Sequence, residues 1–161
     1  MKGDVQISMN EGINDLLEGK IPQGSWEFRH AIKYSPELYP AYYYRGVCNK
    51  IMNRFPEAEK DLLKAVDLND TLSQAYVELG EIEQKKIDFK KSGAYYKKAI
   101  RASPKSVDGY LHLGDLNFSM KNFSDAGAYY DSALEIHPAY FAAHSRKGLL
   151  ELALIKIKPQ R

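Results

Sequence analysis

Apolar residues fall along the chain in short stripes with helical spacing. Tyr110, Leu113, Gly114 and Asn117 stand at i, i+3, i+4 and i+7, on one face of a helix spanning 107–120. Lys121-Asn122-Phe123-Ser124 breaks the stripe, and Ser124 or Asn122 is expected to cap the next helix. A second stripe, Ala126, Tyr130 and Ala133, then runs to Pro138, which has no amide to donate and stops the helix. Pro22 and Pro56 open second helices earlier in the chain, in the first turn where proline is tolerated. The local reading is helix, turn, helix.

The same reading recurs. Gly46, Gly80 and Gly114 stand at one constant interval, and the step extends to Gly12 and Gly148. Ala31, Ala65, Ala99 and Ala133 keep step, as do Tyr42, Tyr76 and Tyr110, and also Ile21, Phe55, Phe89 and Phe123. Pro36, Pro104 and Pro138 share a column that Asp70 interrupts. The repeats are 5–38, 39–72, 73–106 and 107–140, followed by a closing helix at 141–157, and the chain 1–161 reads as one domain. Glycine inside a helix costs about 1 kcal/mol against alanine. Its recurrence implies close helix approach, with an aromatic such as Tyr130 filling the space beside Gly114. A single hairpin cannot bury its stripe, whereas stacked copies can. The predicted fold is therefore all-α, a right-handed α-solenoid of antiparallel hairpins with nine helices.

Composition removes several alternatives. Net charge is +2, from 23 basic and 21 acidic residues interleaved along the chain. This distribution fits neither an acidic tail nor a basic arm. No stretch approaches the roughly 20 apolar residues of a membrane span. Met1-Lys2-Gly3-Asp4 lacks the apolar core of a signal sequence. The single cysteine, Cys48, has no internal disulfide partner. These features favour a cytoplasmic protein.

The columns, aromatic-x2-L-G-x2-N/E followed by A-x3-Y/L and P, resemble the tetratricopeptide repeat pattern over residues 5–154. Departures are Ser8 and Glu11 in the first repeat, Arg45 in the second and Ser92 in the third. A polar column, Asp15, Asn49, Glu83, Asn117 and Glu151, stands where tyrosine is usual. The resemblance implies a non-catalytic protein-interaction scaffold with a concave groove lined by the first helix of each hairpin. That groove would draw on Met9, Ile13, Leu16, Tyr43, Tyr44, Val47, Ile51, Val77, Glu78, Glu81, Leu111, His112, Asp115 and Phe118. Arg146 and Leu149 extend it from the closing helix. The expected ligand is a partner peptide with apolar anchors and a basic patch. The carboxylate clamp with which many co-chaperones of this family grip an EEVD tail is not expected. Its columns hold Tyr43, Val47, Glu78, Asp108 and His112, or one repeat earlier Met9, Ile13, Tyr44, Gln74 and Glu78, and neither set supplies the cations.

Other chemistry is not expected. His30, His112, His137 and His144 lack metal-ligand spacing, there is no phosphate loop, and no nucleophile accompanies Glu81, Glu83 or Asp115. Lys85, Lys86, Lys90, Lys91, Lys97 and Lys98 straddle a turn and an outer helix with no interleaved aromatic stacking platform, and read as a solvated face rather than a nucleic-acid surface. No catalytic residue, cofactor or metal is expected. The closing helix is apolar almost all round from Leu149 to Ile155, and Leu150, Leu154 and Ile157 are candidates for an interface with a second copy, with a downstream helix of a longer chain, or with another partner. The sequence thus favours an adaptor. The alternatives are a structural unit of a larger or self-associated assembly and a chaperone that cradles a secreted client.

Overall fold

The computed structural model describes residues 2–157; Met1 and residues 158–161, part of the 1–161 domain read above, lie outside the described residues. The described residues form nine helices and no strand. They are α1 (Lys2–Leu17), α2 (Ile21–Tyr34), α3 (Tyr39–Ile51), α4 (Phe55–Leu68), α5 (Ser73–Lys85), α6 (Phe89–Ala102), α7 (Val107–Ser119), α8 (Phe123–Ile136) and α9 (Phe141–Ile157). Helices α3, α5, α7 and α9 begin exactly one repeat after one another, and so do α2, α4, α6 and α8.

The ends of these helices follow from local chemistry. Pro22 and Pro56 sit in the first turns of α2 and α4. Helices α2, α6 and α8 end just before Pro36, Pro104 and Pro138. Where Asp70 replaces that proline, α4 is closed by Asn69, whose side-chain oxygen accepts from the Thr71 amide at 3.2 Å and hydroxyl at 2.8 Å. Each odd-numbered helix from α1 to α7 ends on a left-handed residue: Gly19 (φ 75°), Asn53 (58°), Ile87 (65°) and Lys121 (63°). The next amide then bonds back to the carbonyl of Asp15, Asn49, Glu83 or Asn117, at 2.7–2.9 Å. Asn122 occupies the N-cap of α8 but does not cap it; its side chain donates to Asn117 Oδ1 at 3.4 Å, and Ser124 lies inside the helix. The side-chain caps are Asp88 on α6 and Ser106 on α7.

The glycine column sets the packing within each hairpin. A methyl group built on Gly114 would meet Tyr130 Cε1 at 2.3 Å, and one on Gly80 would meet Tyr96 Cε1 at 2.3 Å. Gly12 faces Phe28 and Gly46 faces Leu62 in the same way, and all four partners occupy one column of the second helix. Gly148 differs, with nothing within 4 Å, because α9 is the last described helix and none packs on that side of it. Leu62, Leu79, Ile82, Tyr96, Leu113 and Tyr130 carry the buried core between helices.

Odd-numbered helices also touch one another, α1 on α3, α3 on α5, α5 on α7 and α7 on α9, whereas the even-numbered helices do not. The odd set therefore forms the tight inner, concave side of the solenoid. The even set is splayed on the outer, convex side.

Candidate functional site

Polar and aromatic side chains cross the concave side from helix to helix. Lys50 of α3 pairs with both Glu78 and Glu81 of α5. Glu81 in turn lies 3.3 Å from His112 Nε2 on α7. Further along α7, Asp115 accepts from Arg146 Nε of α9 at 2.7 and 2.8 Å, and from the Tyr130 hydroxyl at 2.9 Å. The His112 ring stacks on Tyr96, with centroids 5.1 Å apart. A ladder of polar and charged contacts thus links α3, α5, α7 and α9. Its rungs, 50 to 81, 81 to 112 and 115 to 146, share one sequence interval, shorter than the repeat by about one helical turn.

Burial tunes these groups. Desolvation raises the Glu78 carboxyl above its usual range, against the pull of Lys50. Desolvation alone would lower Lys50, but the two glutamates outweigh it and hold the ammonium above its ordinary value. Tyr43, beside Glu78 and Glu81, is pushed far up by burial and by those carboxylates.

The N-terminal end of the same side is aromatic. Tyr43 and Tyr44 meet edge to face at 5.1 Å, and Tyr44 stacks on Phe28 at 5.4 Å. Ile13 and Val47 are half-buried and Ile51 is 49% exposed.

Four expected groove residues face elsewhere. Met9 packs with Phe28, Ala31 and Cys48. Val77 packs with Tyr96, Leu113 and Leu116, and Leu111 packs with Tyr130 and Leu150. Phe118 is half-buried against Phe123 of its own hairpin, centroids 5.5 Å apart. The physical reason is rotation: one residue along a helix turns a side chain by about 100°. The neighbours Glu78 and His112 point inward while Val77 and Leu111 enter the core. A second correction concerns the ligand. The acidic groups Glu78, Glu81 and Asp115 already have Lys50, His112 and Arg146 as partners, so the concave side does not present the bare acidic patch that a basic peptide would seek. Lys50 is a groove residue that the expected set left out although it shares a column with Leu16 and Phe118; the recurring interval between opposite charges is what marks it.

The closing helix is also corrected. Leu150 is 6% exposed and packs with Ala143 against Ala126, Tyr130 and Ala133. Leu154 and Ile157 lie nearer that side, but are 41% and 61% exposed, because α9 is longer than α8 and runs past its end. The open side of α9 is the stripe Phe141, Gly148, Leu152 and Ile155, with the three large side chains 82%, 56% and 65% exposed.

Several departures from the repeat pattern have polar partners of their own. Arg45 donates to buried Asp61 through Nε at 2.8 Å and a terminal nitrogen at 2.5 Å, and Asn49 adds a third bond at 3.1 Å. Ser8 bonds His30 Nδ1 at 2.9 Å. Glu83, 2% exposed, receives Lys86 at 3.0 Å. Among the described residues no cluster of His, Cys, Asp and Glu could hold a metal, and no helix is long and apolar enough to cross a membrane.

A tetratricopeptide repeat family model matches residues 73–106 and 107–140, which are α5–α6 and α7–α8 with their following turns. The chain carries tetratricopeptide repeats. Solved structures agree on the fold of this repeat chain. The crystal structure of the MamA protein is 22% identical, with a TM-score of 0.73 over 98% of this chain and 90% of that one. Pseudomonas aeruginosa pilF is 15% identical, with a TM-score of 0.85 over 96% and 71%. The Arabidopsis OM64 TPR domain is 20% identical, with a TM-score of 0.66 over 73% and 97%. No curated protein matches the chain. Tetratricopeptide repeats are in general non-catalytic protein-interaction scaffolds.

Proposed function

We propose that the chain is an adaptor that holds a peptide segment of a partner protein against its concave side. Apolar anchors of the peptide would seat on Tyr44, Val47 and Ile51. Its backbone and polar side chains would bond to the ladder from Lys50 to Arg146. The observation that carries this reading is the ladder itself. It fixes charged and aromatic groups on four alternate helices, α3, α5, α7 and α9, before any ligand arrives, which lowers the ordering cost of binding. Because the acids are already paired, the fitting peptide is neutral and amide-rich beside its apolar anchors rather than strongly basic. The test is affinity capture with the parent chain and with Tyr44→Ala and Ile51→Ser variants. The expected result is a captured partner lost from both variants while both remain folded and helical at the assay temperature. A partner retained equally by folded variants would overturn the reading.

A specific observation favours a second reading, assembly with another copy through α9. The niche at Gly148 is empty, whereas Leu62 fills the matching niche at Gly46. Leu152 lies one turn from Gly148 on the same open stripe. An antiparallel pair of α9 helices would place each Leu152 against the other's Gly148, in the reciprocal manner of a two-fold interface. Sedimentation velocity should show a dimer that Leu152→Glu with Ile155→Glu dissociates. A parent chain that stays monomeric at high concentration would end this reading.

A further inference from the structure

The convex side between the third and fourth hairpins carries a site of different chemistry. Helices α6 and α8 do not touch, and a groove of about 500 Å³ lies between them over α7. Its floor is Leu113 and Leu116, with Met120 (44% exposed) and Phe89 (40% exposed) at one end.

Sequence makes the groove open here. The column of Gly93 holds Ser25, Glu59 and Gly127 in the other hairpins, and that of Ala94 holds Trp26, Lys60 and Ala128. On α4 the corresponding Glu59 is occupied by Lys86 at 2.6 Å. On α6 there is no side chain to fill the space, and a methyl group on Gly93 would already lie 3.2 Å from Leu116 Cδ2.

The rim is basic. Lys90, Lys97 and Arg101 stand at i, i+7 and i+11 on α6, about 10 Å and 6 Å apart along the axis. All three are exposed, and among the described residues none is in an ion pair. Their neighbours are engaged: Lys86 with Glu59 and Glu83, Lys91 with Asp88, and Lys98 over the Tyr95 ring. The opposite wall supplies one carboxylate, Asp125, together with Tyr129 and Asn117. The groove thus combines an apolar floor with Lys97 and Arg101 on one wall, neither of them in an ion pair among the described residues.

We propose that this groove docks an amphipathic helix of a partner protein. Such a helix would have large apolar side chains on one stripe and carboxylates at i and i+4 beside it, facing Lys97 and Arg101. An apolar face laid between the two helices would cover Phe89 and Met120, which the convex surface otherwise leaves wet, above a floor, Leu113 and Leu116, that is already buried. Asp125 repels the acidic edge from the other wall, so the charge pattern also sets which way the helix lies. The inference is independent of the concave site.

The test uses the full chain, isotope-labelled for amide NMR. The probe is a synthetic amphipathic peptide with leucines on one stripe and glutamates at i and i+4 on its flank; the control has lysines for the glutamates. The expected result is that the acidic peptide shifts the amides of Gly93, Met120 and Tyr129 and leaves those of Tyr44 and Ile51 unmoved. Affinity should fall about tenfold or more in Lys97→Glu with Arg101→Glu, and fall on raising salt. Ala94→Trp should block the groove from an exposed position, with helicity retained. The proposal is overturned if the acidic peptide leaves the groove amides unmoved up to roughly millimolar concentration, or binds the charge-reversed variant as tightly. It is also overturned if the basic control binds equally, or if anionic vesicles or duplex RNA shift these amides while the peptide does not.

Discussion

Alanine substituted at two glycines of one column should change stability in opposite directions. At Gly114 the new methyl group would lie 2.3 Å from Tyr130 Cε1 and 2.6 Å from Cδ1, well inside van der Waals contact. The ring cannot yield cheaply. Tyr130 is 2% exposed, and its hydroxyl is held by Asp115, which also holds Arg146. Helix propensity favours alanine by about 1 kcal/mol, while overpacking costs about 1–3 kcal/mol. A clash against an anchored ring belongs at the upper end, so the net loss is about 2 kcal/mol. For a domain of this size that lowers the melting temperature by about 4–8 °C. At Gly148 nothing lies within 4 Å, so only the propensity gain of about 0.5–1 kcal/mol remains and the melting temperature rises by about 1–4 °C. The assay is thermal melting by circular dichroism at low chain concentration, with urea titration to confirm an unchanged m-value. Shifts of the same sign at the two sites would refute the reasoning, because they would mean that Tyr130 does not occupy the Gly114 niche or that α9 is already covered.

Asp61→Ala leaves Arg45 and buried Asn49 without their acceptor and should cost about 3 kcal/mol by urea titration; Arg45→Leu with Asn49→Leu and Asp61→Leu should recover most of that loss. Ile87 is a β-branched residue at φ 65° with 74% of its surface exposed, so Ile87→Asn should raise stability by about 1 kcal/mol in the same titration. Burial raises Tyr96 to about 12 from an ordinary value of 10.0. The stabilising contribution of its neutral form is complete below pH 10 and is lost as pH rises from 10 to 12, an amount of about 2–3 kcal/mol. Phenolate absorbance and helicity should therefore change together in that window, and a phenol that ionises near 10 with the helices intact would contradict the burial.

The repeated columns made the fold legible, because each has one physical job. The glycines mark where an aromatic or leucine of the following helix crosses, and the prolines mark where second helices end. The columns could not reveal side-chain direction to within one residue. Val77 and Glu78 differ by about 100° around the same helix, and only the packed structure sends one into the core and the other to the concave side. Ladder pairs such as Lys50 with Glu81 join different columns of successive repeats, a relation that a column-by-column reading does not see. The expected cap at Asn122 fails for a related reason: its amide has a competing partner in Asn117.

What repeats builds the solenoid, and what departs from the repeat gives this chain its particular surfaces. Arg45 and Asn49 replace apolar or aromatic residues, and both are answered by Asp61 at an inter-helix contact within one hairpin. Gly93 and Ala94 depart in the other direction, removing bulk from an outer helix where α4 carries Glu59 and Lys60, and the result is an open groove rather than a filled one. Gly148 shows the limit of the rule. It keeps the column although nothing among the described residues crosses it, so within them its glycine gives α9 no packing gain while lowering helix propensity. A glycine column carried into a helix that no other described helix crosses leaves a niche already shaped for a side chain such as Leu62, and the exposed stripe of Phe141, Leu152 and Ile155 around that niche supplies the apolar area to hold one.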